Sequence, residues 1–184
     1  MSYDLHLFLP RSGMGLEEAA RASMGEGFER KPVDADIQRQ KQALARRLCQ
    51  ANTALYLPKP IEDATLQACS PGERPHQVWR NIELNDEEAG VQMTLFDDSL
   101  SVSICYSHRG EMATHAWQRV WEYLEIFQAQ AGWRAYDPQL DKVLDLSSDL
   151  KAVLSAYGEG VGHVDGIAAR EEGRTPRKPW WKFW

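Results

Sequence analysis

The sequence predicts an α+β fold in which an antiparallel sheet carries helices on one face, in the split βαβ order of ferredoxin-like proteins. Residues 91–106 alternate apolar and polar side chains on either side of a short acidic turn, which indicates a β-hairpin with one buried face. Residues 111–131 repeat apolar side chains at helical spacing. Along the chain, the predicted core elements run strand, helix, strand, strand, helix, strand, with additions.

The first half of the chain supplies a strand and two helices. Residues 3–9 place apolar side chains on one side of an extended segment, and residues 16–24 predict a short helix. A longer helix follows, with Asp34 or Asp36 as its cap. We expect its second face to be solvated and basic, with Arg39, Lys41, Arg46 and Arg47. Residues 58–76 hold four prolines and predict a long surface loop.

The second half begins with a strand predicted over residues 76–84, which precedes the hairpin. Gly132 ends the long helix, and residues 133–146 predict an extended segment around a turn. A last helix, capped by Ser147 or Ser148, is predicted to stop at Gly158.

The glycine-rich residues 158–166 predict a flexible linker, because they follow a helix and lack the strand-to-helix context of a phosphate-binding loop. The chain therefore divides into a single α+β domain over residues 1–157 and a linker with a basic aromatic tail over residues 158–184.

The charge of the chain is unevenly distributed. Residues 174–184 carry four positive side chains and no acid, whereas the whole chain has a net charge of −6. Subtracting the four charges of this tail leaves −10 on residues 1–173. Such an acidic body repels nucleic acid and favours a basic protein partner.

Several classes of protein are not indicated. The apolar runs are far shorter than the roughly 20 residues that cross a bilayer, and the first residues lack the pattern of a signal peptide, so we expect a cytoplasmic protein. Three widely separated cysteines predict neither a disulfide framework nor a zinc knuckle. The sequence predicts no cofactor and no metal.

Two groups of residues are the candidate partner-binding site. The first is acidic and would steer a basic partner by long-range attraction: Asp86, Glu87, Glu88, Asp97 and Asp98. The second consists of the aromatic anchors of the tail: Trp180, Trp181, Phe183 and Trp184. The tail could pack on its own body, on a second copy of the chain in a homo-oligomer, or on another protein. A membrane surface is a weaker alternative, because four charges alone bind anionic lipid modestly.

A small enzyme is the alternative from another class. Its pocket would lie between sheet and helices and use a combination of Tyr106, His108, Glu111 and His115. The spacing of the two histidines matches no standard zinc signature. A third reading makes the protein a structural or assembly subunit that associates with itself through the tail.

Three segments carry a resemblance to known proteins: "MSYDLHLF" at the start, "WRAYDPQLDKVLDL" after the long helix, and "KPWWKFW" at the end. They resemble features of small bacterial proteins, some of them immunity proteins that neutralise toxins. The resemblance implies a binding role, with an immunity or inhibitor protein for a basic toxin as its specific form. The resemblance assigns no catalytic residue to this chain.

Overall fold

The computed structural model describes residues 2–25, 34–57 and 81–172. These residues form six strands and four helices, in the chain order β1 (Ser2–Phe8), α1 (Leu16–Gly25), α2 (Ala35–Ala51), β2 (Ile82–Asp86), β3 (Val91–Leu95), β4 (Ser99–Cys105), α3 (Gly110–Ala131), β5 (Arg134–Asp137), β6 (Lys142–Val143) and α4 (Leu150–Glu172). The loop predicted over residues 58–76 and the start of the strand predicted over residues 76–84 lie outside the described residues.

All six strands belong to one sheet in the order β2-β3-β4-β1-β5-β6, and every neighbouring pair is antiparallel. The predicted hairpin is confirmed, with Met93 opposite Val102 across β3 and β4. The α+β class is confirmed as well. The ferredoxin-like order is not confirmed; β2 and β6 form the two edges of this sheet.

The sheet buries one continuous apolar face. Tyr3, Leu5 and Leu7 of β1 point into it together with side chains of β2, β3 and β4, since alternate residues of a strand share a face. Helices α2, α3 and α4 cover this face, and the predicted apolar stripe of α3 is buried. That stripe comprises Ala113, Ala116, Trp117, Val120, Leu124 and Phe127.

Helix α1 departs from the predicted arrangement on a single face. Its Ala19 and Ala20 pack with Phe8 of β1, whose side chain points away from the main core. His6, on the same side of β1 as Phe8, is hydrogen bonded to Ser23 of α1 at 2.7 Å. Helices therefore cover both faces near β1, because β1 carries apolar side chains in both directions at its end.

One expectation about helix α2 is confirmed and another needs correction. Asp34 is confirmed as the cap of α2, since its carboxylate accepts hydrogen bonds from the amides of Asp36 and Ile37. Lys41 of α2, however, is not on a solvated face: its side chain is only 4% exposed. It points toward the β3–β4 turn, where Asp97 compensates its charge.

The last helix does not stop at Gly158 but continues to Glu172, so the prediction of a flexible linker is wrong for residues 158–166. Packing explains why the glycines stay helical, although each costs about 1 kcal/mol relative to alanine. Val161 is buried in the main core. The ring of Tyr106 lies so close to Gly160 that a Cβ atom there would be 2.3 Å from it.

Candidate binding site

A pocket of about 340 Å³ lies where the β2–β3 turn, the β4–α3 loop and the first turns of α3 meet. Its walls combine acidic, imidazole and apolar side chains: Glu88, Ala89, His108, Glu111, Met112 and His115. Glu88, an acid of the partner-binding hypothesis, thus shares one site with His108, Glu111 and His115 of the enzyme hypothesis.

Helix α3 contributes three of these side chains from its first turns. Glu111 and His115 are four residues apart and lie next to each other on the helix surface. The Glu111 carboxylate also sits in the first helical turn, where the helix dipole favours a negative charge. Met112 is 63% exposed, so the pocket offers an apolar contact to an incoming group.

The ring of His108 packs closely against the β2–β3 turn at Gly90. Gly90 has a φ of +61°, and a Cβ atom at this position would lie 2.5 Å from Nε2 of His108. The Nε2 atom is buried and has no hydrogen-bond partner among the described residues. The close approach of the ring therefore depends on the absence of a side chain at residue 90.

Arg119 of α3 fixes the acidic wall of the pocket. Its Nη2 donates to Oε2 of Glu88 at 2.8 Å, and its Nη1 donates to Oδ2 of Asp86 at 3.0 Å. The Glu88 side chain remains 69% exposed despite this ion pair. One guanidinium thus serves two carboxylates, and it orients Glu88 at the pocket without removing it from solvent.

Asp86 is the buried member of this network and is 1% exposed. It accepts a hydrogen bond from the hydroxyl of Tyr123 at 2.5 Å and one from the backbone amide of Ala89 at 3.0 Å. Burial raises its pKa, but the hydrogen bonds and the charge of Arg119 outweigh that effect, so the pKa of Asp86 lies below its ordinary value. Burial and the hydrogen bond to Asp86 raise the pKa of Tyr123.

The structure separates the five predicted acids into different roles. Asp86 offers no surface to a partner, so its assignment to partner steering is corrected: it is buried to hold the turn. Glu87 is exposed and accepts a hydrogen bond from the hydroxyl of Tyr56. Asp97 and Asp98 lie at the opposite end of β3, away from the pocket.

Asp97 is engaged within the fold, whereas Asp98 is exposed. Lys41 donates to Oδ1 of Asp97 at 2.8 Å, and the Asp97 side chain is 20% exposed. Burial lowers the pKa of His6, and the charge of Asp98 opposes this shift.

The residues of the enzyme hypothesis are brought together only in part. His108, Glu111 and His115 line the pocket. Tyr106 instead stacks on Tyr157 in the core, with ring centroids 5.3 Å apart. Within residues 2–25, 34–57 and 81–172, no group of three or more His, Cys, Asp or Glu side chains is placed to hold a metal ion.

Sequence reasoning missed Arg119, Met112 and Gly90. A local signal existed for Arg119, which stands four residues before Tyr123 on α3, so the two side chains project from the same part of the helix surface. Met112 is an apolar residue outside the buried stripe of α3, which also marks it. The predicted tail anchors Trp180, Trp181, Phe183 and Trp184 lie outside the described residues.

The chain shows no match to known proteins: no family model, no curated protein and no solved structure corresponds to it. In the part of the chain that the structure describes, no helix has the length and apolar character needed to span a membrane.

Proposed function

We propose that this chain is a non-enzymatic binding protein whose pocket receives a basic side chain of a protein partner. The observation that carries the proposal is the presence of two carboxylates, Glu88 and Glu111, in one pocket with the exposed Met112. Carboxylates form charge-assisted hydrogen bonds with the head groups of lysine and arginine. The polarizable side chain of Met112 suits the aliphatic stem of the same residue.

The local charge balance supports a cationic ligand. The pocket wall contains the carboxylates of Glu88 and Glu111, the carboxylate of Asp86 is buried behind it, and Arg119 is the cation paired with Asp86 and Glu88. With neutral histidines, the formal charges of these four groups leave a negative excess at the surface of an acidic body. Long-range attraction would bring a basic partner to this surface, and the pocket would then fix its orientation.

An immunity or inhibitor protein that neutralises a basic toxin is the specific form of this function that we propose. It rests on the resemblance of the three sequence segments and on the charge of −10 over residues 1–173. In this form Glu87 and Asp98 add to steering because both are exposed.

Affinity capture from the native host tests the proposal. The tagged chain should retain a basic protein that the variant Glu88→Lys/Glu111→Lys loses by on the order of tenfold or more. The matched control is Glu17→Lys/Glu18→Lys, which makes the same change of charge on exposed residues of α1. Equal capture by the site variant and the control would contradict the assignment of the pocket.

A small enzyme is the second candidate, favoured by the joint presence of His108, Glu111 and His115 in the pocket. A histidine beside a carboxylate is a common acid–base arrangement. No hydrogen bond joins the side chains of these three residues in the described part of the chain. Hydrolysis of activated acyl and phosphoryl esters that disappears in His115→Asn would favour the enzyme over the binding protein.

A further inference from the structure

We propose that residues 174–184 of this same chain occupy the pocket and compete there with the partner. The inference rests on the proposed binding function of the pocket and describes how that function is regulated. It commits to one occupant, the chain's own basic aromatic segment.

Helix α4, which precedes this segment in the chain, passes beside the loop that contributes His108 to the pocket. The hydroxyl of Tyr157 donates to the backbone carbonyl of Cys105 at 2.6 Å, at the end of β4. Two turns later, Arg109 Nη2 donates to Asp165 Oδ1 at 2.7 Å. Helix α4 thus runs along the β4–α3 loop, whose His108 lines the pocket.

The segment is long enough to reach the site. From Asp165 to the end of α4 at Glu172 the helix advances by roughly 10 Å, at 1.5 Å per residue. Residues 173–184 can then span up to roughly 40 Å when extended, at about 3.3 Å per residue. Glu111 is two residues from Arg109, so the distance back to the pocket is a fraction of this reach.

The chemistry of the segment complements the pocket. Its cationic side chains are Arg174, Arg177, Lys178 and Lys182, and its aromatic ones are Trp180, Trp181, Phe183 and Trp184. The cations match Glu88 and Glu111, which lie in a site with excess negative charge. The exposed Met112 gives the aromatic rings a sulfur-bearing apolar contact, which aromatic side chains favour.

Tethering favours the segment of the same molecule over that of a second copy. A short linker produces an effective concentration on the order of millimolar at a site within its reach. A second copy, at micromolar protein concentration, would compete at a disadvantage of roughly a thousandfold. The partner must therefore bind the pocket more strongly than the segment does. Basic proteins with a weak affinity for the pocket would not displace the segment.

Carbodiimide cross-linking of the full chain, followed by mass spectrometry, tests this proposal. The reagent joins lysine amines to carboxylates in direct contact. We expect the main products to join Lys178 or Lys182 to Glu88 or Glu111. In an equimolar mixture of ¹⁴N- and ¹⁵N-labelled chains, each product should carry a single isotope. The variant Trp180→Ala/Trp181→Ala keeps both lysines and should lower the yield by about fivefold or more.

Three results would overturn the proposal. Products of mixed isotope composition would assign the segment to a second copy. Products spread evenly over exposed acids such as Glu17 and Glu122 would show that the pocket is not preferred. The absence of any product at Glu88 and Glu111 would exclude contact. If cross-linking fails while the capture experiment succeeds, only the regulation by the segment falls and the binding function stands.

Discussion

The two acidic turns at the ends of β3 look alike in sequence but differ in the structure. In the 86–90 turn, Asp86 is buried against Arg119 of α3, and Glu88 stays exposed at a pocket. In the 97–98 turn, Asp97 is paired with the buried Lys41 of α2. Each turn thus gives one carboxylate to the fold. The pocket wall, however, includes neither Asp97 nor Asp98.

The difference comes from the cation that each helix provides. The forked guanidinium of Arg119 binds a buried and an exposed carboxylate at the same time, so it links the fold to the surface site. The ammonium of Lys41 is itself buried and serves the fold. Acidic residues in a sequence therefore cannot be counted as binding residues until their cations are known.

The largest expected effect is the loss of Arg119. Arg119→Met leaves Asp86 buried without its cation, which should lower the free energy of unfolding by about 3–5 kcal/mol. Urea unfolding measures this change. The control Arg39→Met removes the exposed ion pair with Asp36 and should cost less than about 1 kcal/mol. Similar losses in the two variants would show that the Asp86–Arg119 pair is not special.

In the 86–90 turn, which is the first of the two acidic turns, Gly90→Ala should lower the free energy of unfolding by about 2 kcal/mol. The substitution combines a positive φ with a clash against His108. Gly132→Ala is the matched control, since Gly132 has a φ of +67° and open space around it. It should carry only the backbone strain, about 1 kcal/mol. Thermal unfolding of both variants separates the two contributions, and equal losses would contradict the contact between Gly90 and His108.

Lys41→Met tests the 97–98 turn, which is the second of the two acidic turns, by removing the cation paired with Asp97. It should lower the free energy of unfolding by about 1–2 kcal/mol, less than Arg119→Met, because water reaches the 20%-exposed Asp97 and compensates in part. Arg46→Met alters an exposed residue of the same helix and should change stability by less than about 0.5 kcal/mol. A larger loss for Lys41→Met than for Arg119→Met would reverse our ranking of the two turns.

The smallest expected effect is a pH dependence confined to the first turn. The pKa of Asp86 in the folded chain is lowered below its ordinary value of 3.8, so its ionisation stabilises the fold above that pH. This stability is lost as the pH falls through the lowered pKa. The stability difference between the wild type and Asp86→Asn should therefore be constant near pH 7 and shrink below about pH 4. A difference that is independent of pH would contradict the role of the Asp86 charge.

The elements with local signals were predictable from sequence. The hairpin could be predicted from the alternation in residues 91–106, and α3 from its apolar stripe. Both patterns, the period of two for a strand and of about 3.6 for a helix, are visible among residues close together in the sequence. The burial of Lys41 was not predictable, since it depends on Asp97, which is 56 residues away in the chain. The extension of α4 through Gly160 likewise depends on the distant ring of Tyr106.

The candidate site was predictable in pieces. His108, Glu111 and His115 were grouped because they are close in sequence. Glu88 was identified as an acid for partner binding, but its place beside them depends on the packing of the β2–β3 turn against α3. Arg119, whose guanidinium separates the roles of Asp86 and Glu88, lies 33 residues after Asp86 and 31 residues after Glu88 in the chain.

An NMR titration tests most directly whether the pocket that binds a partner lies at the 86–90 turn and not at the 97–98 turn. The ¹⁵N-labelled chain truncated after Gly173 keeps all ten described elements, and a peptide with the sequence of residues 174–184 serves as a basic aromatic probe. We predict amide shift changes at residues 88–90 and 108–115, little change at residues 97–98, and loss of these changes in Glu88→Lys/Glu111→Lys. The largest changes at residues 97–98, or equal changes in the variant, would contradict the account.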